Sequence, residues 1–134
     1  AAIEYLAQWG DPEDSLRQRL VTSFEQYNHH EQQLSAYFLE KLSQLNGVTL
    51  YGLPCSDSEK RTPTFAIRMN HFPPEFVAKP LGEHNICVWN GHFYALGLVR
   101  QLGLEQNGGV IRIGFMHYNT KSEIDELFKV LSSL

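Results

Sequence analysis

Apolar residues recur at Leu16, Leu20, Phe24, Tyr27, Leu34, Phe38, Leu42 and Leu45, the three- and four-residue spacing of one helix face. Ahead of them GDPEDSL reads as a helix start, with Asp11 as N-cap and Pro12 in the first helical position. Asn46-Gly47 is a natural stop, so one long amphipathic helix is expected between them. The rhythm then changes. VTLYGL (48–53) suits a short strand, and PCSDSEKR suits a polar loop. TPTFAIRM (62–69) alternates Phe65 and Ile67 with Thr64, Ala66 and Arg68, as a half-buried strand does. Pro73-Pro74 open a short helix ending near residues 82–85, with Pro80 weakening its later turn. NICVW (85–89) is expected as the next strand. NGHFYALGLVRQLGL follows as a turn and a helix, stopped at Gly103 or at Asn107-Gly108-Gly109, and residues 110–115 form the last strand. Thr120 and Glu123 make a T-x-x-E capping box for a closing helix whose apolar face is Ile124, Leu127, Phe128 and Leu131.

The order α-β-β-α-β-α-β-α, with short connections and no repeat or linker, fits one domain over residues 1–134: a small sheet covered by helices on one face. The opposite face then needs another partner. Composition agrees with a packed domain, since 43% of the 134 residues are hydrophobic and 19% charged. A net charge of −4 without any Lys/Arg run argues against a nucleic-acid partner, and no apolar stretch approaches the roughly 20 residues that span a bilayer. Cys55 and Cys87 lie far apart with no CxxC spacing, so a reducing cytoplasm is expected and neither a disulfide scaffold nor a zinc site is.

Candidate chemistry is sparse. In GVIRIGFMHYNT, Ile111 and Ile113 share one strand face and Arg112 projects from the other. If the isoleucines meet the helices, Arg112 emerges on the uncovered face, where a guanidinium can grip a carboxylate bidentately. An ordinary ion pair to a nearby Asp or Glu explains the same spacing. In the turn WNGHFYA, Gly91 permits a tight bend, while His92 and Tyr94 offer a proton donor or a stacking surface; aromatics packed into the core are the alternative. His29 and His30 are adjacent, a poor metal clamp on a helix, and read as part of a solvated face. His71, His84 and His117 stand isolated, and no metal is expected. Cys55 sits in a polar loop with no base beside it. Cys87, between Ile86 and Val88, reads as a small buried residue.

WNGHFYA followed by IRIGFMHYNTKSEIDEL resembles the C-terminal small domain of class V aminotransferase and cysteine desulfurase-like enzymes, which use pyridoxal phosphate (PLP). YLAQWG, the helix from Leu16, LNGVTLYG and RTPTFAI come in the same order, so the likeness covers nearly the whole chain. It implies an α+β fold, the small, mainly antiparallel sheet of the fold-type I PLP-dependent transferases. It also implies that residues 1–14 connect from a large cofactor-binding domain, and that Arg112 binds the substrate α-carboxylate. Trp89, Asn90, Gly91, His92 and Tyr94 would then form one wall of an active site. PLP would be held by the absent large domain, with an amino-acid substrate and a homodimeric parent.

Two departures qualify the likeness. Related desulfurases read roughly R-x-G-x-x-C-A where this chain has Trp89 to Ala95, so Tyr94 stands at the cysteine position and Trp89 at the arginine. A phenol cannot carry sulfur as a persulfide. The family's Schiff-base lysine is also missing, since Lys41, Lys60, Lys79, Lys121 and Lys129 all fall on helices or in a loop. The chain is therefore expected to be no catalyst alone. A free-standing, non-catalytic binding module of the same fold is the alternative.

Overall fold

The computed structural model describes residues 1–134. Its elements run α1 (Ala2–Leu6), α2 (Leu16–Gln44), β1 (Val48–Tyr51), β2 (Thr64–Met69), α3 (Pro74–Glu83), β3 (Trp89–Gly91), α4 (Leu96–Gln101), β4 (Val110–Gly114) and α5 (Lys121–Leu131), with a 3-10 turn at Glu105–Asn107 before β4. The strands form one sheet in the order β1-β2-β4-β3, antiparallel at every seam.

Alternation along β2 and β4 decides the layers. Phe65, Ile67 and Met69 are buried on one side, and Ile111, Ile113 and Phe115 join them. Against these pack Leu34, Phe38 and Leu42 of α2, Val77 and Leu81 of α3, and Ile124, Leu127, Phe128 and Leu131 of α5. Phe38 is the hub, its ring 4.3 Å from Phe65 and 5.4 Å from both Phe115 and Phe128. The long helices thus share one face, as the alternation predicts. The other face is not wholly bare: Val99 of α4 and Leu104 close over Val110, with Tyr51, Ala66 and Phe93 around them.

Two boundaries differ from expectation. Helix α2 starts at Ser15, whose hydroxyl accepts from the Gln18 amide while the Gln18 side chain accepts from the Ser15 amide. Asp11 instead closes a separate turn, accepting from the Glu13 amide at 3.0 Å. Both sites can cap a helix, and the reciprocal S-x-x-Q box satisfies two otherwise orphan amides. Residues 85–88 are not a strand. Asn85 takes φ +60, its amide bonds the Gly82 carbonyl, and the Ile86 amide reaches back to Leu81 at 2.9 Å. That is a Schellman close on α3, which draws the segment away from β4 and delays β3 until Trp89. Cys87 is consequently exposed, correcting the expectation of a buried thiol.

The first residues are docked on α2. Tyr27 donates to the Leu6 carbonyl (3.2 Å) and the Trp9 amide donates to Ser23 Oγ (3.1 Å). No helix is long and apolar enough to cross a membrane.

Candidate functional site

β4 carries Arg112 between buried Ile111 and Ile113. Because β4 pairs Arg112 with Ala66 on one side and Trp89 on the other, the arginine lies in the middle of the second sheet face. It is exposed. It takes part in none of the five ion pairs and none of the side-chain hydrogen bonds, so the ion-pair explanation of its spacing falls away. Its guanidinium carbon stands 5.5 Å from the Trp89 ring centroid and 5.6 Å from that of Phe93, and the two rings meet edge to face. This is cation–π range.

Arg68 shares that face but is engaged. Its Nη1 donates to the Asn107 and Gly109 carbonyls, both at 2.9 Å, pinning the turn before β4. Arg100 is paired with Glu105 at 2.8 Å. The Arg100 hydrogen bond holds the Glu105 carboxyl below its ordinary range, opposed by some burial and helped by the nearby His92 charge. Of these three arginines, only Arg112 makes neither a side-chain hydrogen bond nor an ion pair.

The residues that sequence grouped with Arg112 separate. Trp89 lies beside it, 55% exposed. Asn90 pairs with Ile111 and lines a hollow of about 460 Å³ with His71 and Pro74, away from the arginine. Gly91 takes φ +125, a conformation that suits glycine. His92 and Ala95 close a turn through a 2.7 Å backbone bond, and its central residues, Phe93 and Tyr94, take φ +50 and +61. Such mirror-image turns favour Asn-Gly. Two aromatic residues there hold strain, which elsewhere marks functional loops. Tyr94 projects into solvent, 93% exposed. It packs in no core.

Sequence reading missed Phe93, whose place beside Arg112 depends on that turn. It also missed the role of two histidines. The His117 ring stacks on Tyr27 at 4.1 Å and its Nε2 is 3.0 Å from the Tyr5 hydroxyl. His30 is half-buried, not on a solvated face, with Nε2 2.9 Å from the Asn119 carbonyl. Together they tie the loop after β4 to α1 and α2, and only the fold could bring positions about ninety residues apart into contact. A hollow of about 580 Å³ lies between residues 84–88, the end of β4 and α5. Cys87 lines it and Arg112 does not. No three His, Cys, Asp or Glu side chains converge as a metal site would need.

Residues 16–127 match the aminotransferase class-V family, and the chain belongs to it. An uncharacterized protein of Mycobacterium tuberculosis is 29% identical over 136 residues, covering 100% of this chain and 32% of its own. A probable cysteine desulfurase of Halalkalibacterium halodurans is 35% identical over 102 residues, 76% of this chain and 23% of that protein. The apo structure of a cysteine desulfurase from Thermococcus onnurineus NA1 superposes with a TM-score of 0.75 at 25% identity, over 88% of this chain and 28% of that one. The chain thus spans a third or less of the length of these relatives.

Proposed function

We propose that this chain is the C-terminal small domain of a PLP-dependent, cysteine desulfurase-like enzyme, and that Arg112 holds the substrate's α-carboxylate. The observation that carries the reading is a guanidinium with no internal partner on the sheet face the long helices leave open. Such a group presents a rigid fork of donors to a carboxylate, and fixing the carboxylate orients the rest of an amino acid.

PLP itself does not fit these residues. Lys41, Lys60 and Lys129 are each paired with a carboxylate, and Lys121 lies over the Tyr37 ring. Lys79 is on α3, across the sheet from Arg112. In this reading the cofactor's lysine and phosphate contacts belong to a large domain outside these 134 residues, joined through residues 1–14. No step through the cofactor is assigned to this chain. Trp89, Gly91, His92 and Tyr94 would wall the site from this side, in a homodimeric cytoplasmic parent. Tyr94 weighs against cysteine desulfuration by a persulfide.

The test is Arg112→Ala in the full-length parent. Charge-assisted hydrogen bonds contribute about 1.5–3 kcal/mol, so KM for an amino-acid substrate should rise about 10- to 100-fold, with PLP absorbance retained. Unchanged substrate constants would remove the carboxylate role. A native species of only 15.4 kDa, colourless, would point to a free-standing module.

A further inference from the structure

The carboxylate reading leaves open which amino acids this wall admits, and the surroundings of Arg112 bear on it. A carboxylate held by Arg112 carries its substituent past whatever flanks the guanidinium. What flanks it is aromatic: Trp89 at 5.5 Å and Phe93 at 5.6 Å, with more than half of Trp89 still open to solvent. Arg68, on the same sheet face, is anchored through Nη1 to two loop carbonyls, and Arg100 is paired with Glu105, so Arg112 is the guanidinium that stands beside these rings.

Resting on the Arg112 reading, we propose that Trp89, Phe93 and Arg112 form one recognition site for amino acids with a flat apolar side chain. Arg112 reads the carboxylate, and the exposed part of the Trp89 ring receives the side chain. Phe93 is a positioning residue: held by its left-handed turn, it stands edge to face against Trp89, 6.0 Å away, so that both rings bound the guanidinium from one side. An aromatic pair adds a contribution that a methyl cannot match, which corresponds to about tenfold in affinity.

The experiment follows the Arg112 Nε–H and Trp89 indole N–H resonances of the chain during titration with L-phenylalanine, L-alanine, L-aspartate and phenethylamine. Phenylalanine should shift both signals and bind about tenfold more tightly than alanine, with aspartate no better than alanine and phenethylamine leaving Arg112 unmoved. Trp89→Ala, with folding checked by circular dichroism, should erase the preference while alanine still shifts Arg112. If the Trp89 variant does not fold, Trp89→Phe should retain part of the preference. Equal affinities for phenylalanine and alanine, with Arg112 still responding, overturn the aromatic selection and leave the carboxylate clamp standing. No response of Arg112 to any of the three carboxylates overturns the clamp and the inference with it.

Discussion

Replacing Gly109 with alanine puts a methyl group where the backbone around it cannot give way. Gly109 sits at φ +79 just before β4. Its amide donates to the Leu104 carbonyl at 3.0 Å and its carbonyl accepts from Arg68 at 2.9 Å. A Cβ there would overlap the Gly91 carbonyl oxygen and stand 2.6 Å from the Gly91 carbonyl carbon. Gly91 is strand backbone, paired with Val110, so relief requires moving β3 off β4. Left-handed φ alone costs an L-residue about 1–2 kcal/mol, and overpacking adds about 1–3 kcal/mol. Gly103 provides the control, since it takes φ +70 with nothing within 4 Å of its would-be Cβ. In urea unfolding, Gly109→Ala should lose about 2–5 kcal/mol and Gly103→Ala about 1–2 kcal/mol. For a domain of this size each kcal/mol lowers Tm by about 3–5 °C. Equal losses would refute the claim that the two backbones meet at Gly109.

Other perturbations test the frame around the site. Thr120→Ala removes the hydroxyl that accepts from the Glu123 amide, and should cost about 1 kcal/mol in thermal unfolding; no change would mean Glu123 alone suffices as a cap. Hydrogen bonds from Lys41 (2.6 Å) and Tyr37 (2.7 Å) hold the Asp125 carboxyl below its ordinary range, and the same Asp125 contact raises Lys41. A depressed carboxylate stabilises above its unfolded value, about 3.9, and loses that as pH falls through the lower folded value; the raised lysine loses its share as pH climbs past about 10.4. Asp125→Asn should therefore flatten both limbs of a stability–pH curve, and identical limbs would refute the coupling. Burial raises the Glu31 carboxyl, partly opposed by the His117 charge and amide and by the His30 charge. A raised carboxyl favours the protonated fold, so its contribution is complete below about pH 4.3 and lost as pH rises through the folded value. Glu31→Gln should stabilise at pH 7 and make no difference in acid; destabilisation at pH 7 would show that the histidine contacts outweigh burial.

The layers of the fold are written in periodicity. The 3.6-residue pattern of α2 and α5 and the alternation of β2 place the right side chains inward, because each element buries a regular stripe. Boundaries were less legible where two local devices compete for one stretch. Asp11 and Ser15 can both cap, and the choice falls to the pair that also engages Gln18. In NICVW the β-branched and apolar residues favour a strand, yet Asn85 and Ile86 are needed to close α3, and that closure fixes the backbone first. Cys87 then follows its backbone outward. His30 and His117 were unreadable for a simpler reason: an isolated histidine has no local signal, and its partners are set by how α1, α2 and the loop after β4 converge.

The site was half visible, and the limit is instructive. Sequence puts two arginines, Arg68 and Arg112, at equivalent polar positions between apolar neighbours in adjacent strands. Alternation assigns both to the same face and says nothing about which is free. The difference is made by the turn at 105–109, whose carbonyls lie over β2 and take up Arg68. The same chain segment brings Leu104 onto Val110 and leaves room beside Trp89 for Phe93. Arg112 is thus available because Arg68 is not: one arginine anchors the loop that shapes the surroundings of the other. Removing the Arg68 guanidinium, while keeping its length with methionine, would strip two carbonyls of their donor and loosen the aromatic flank as well. Arg112 and Arg68 are therefore coupled positions, and substitutions at the two should combine non-additively.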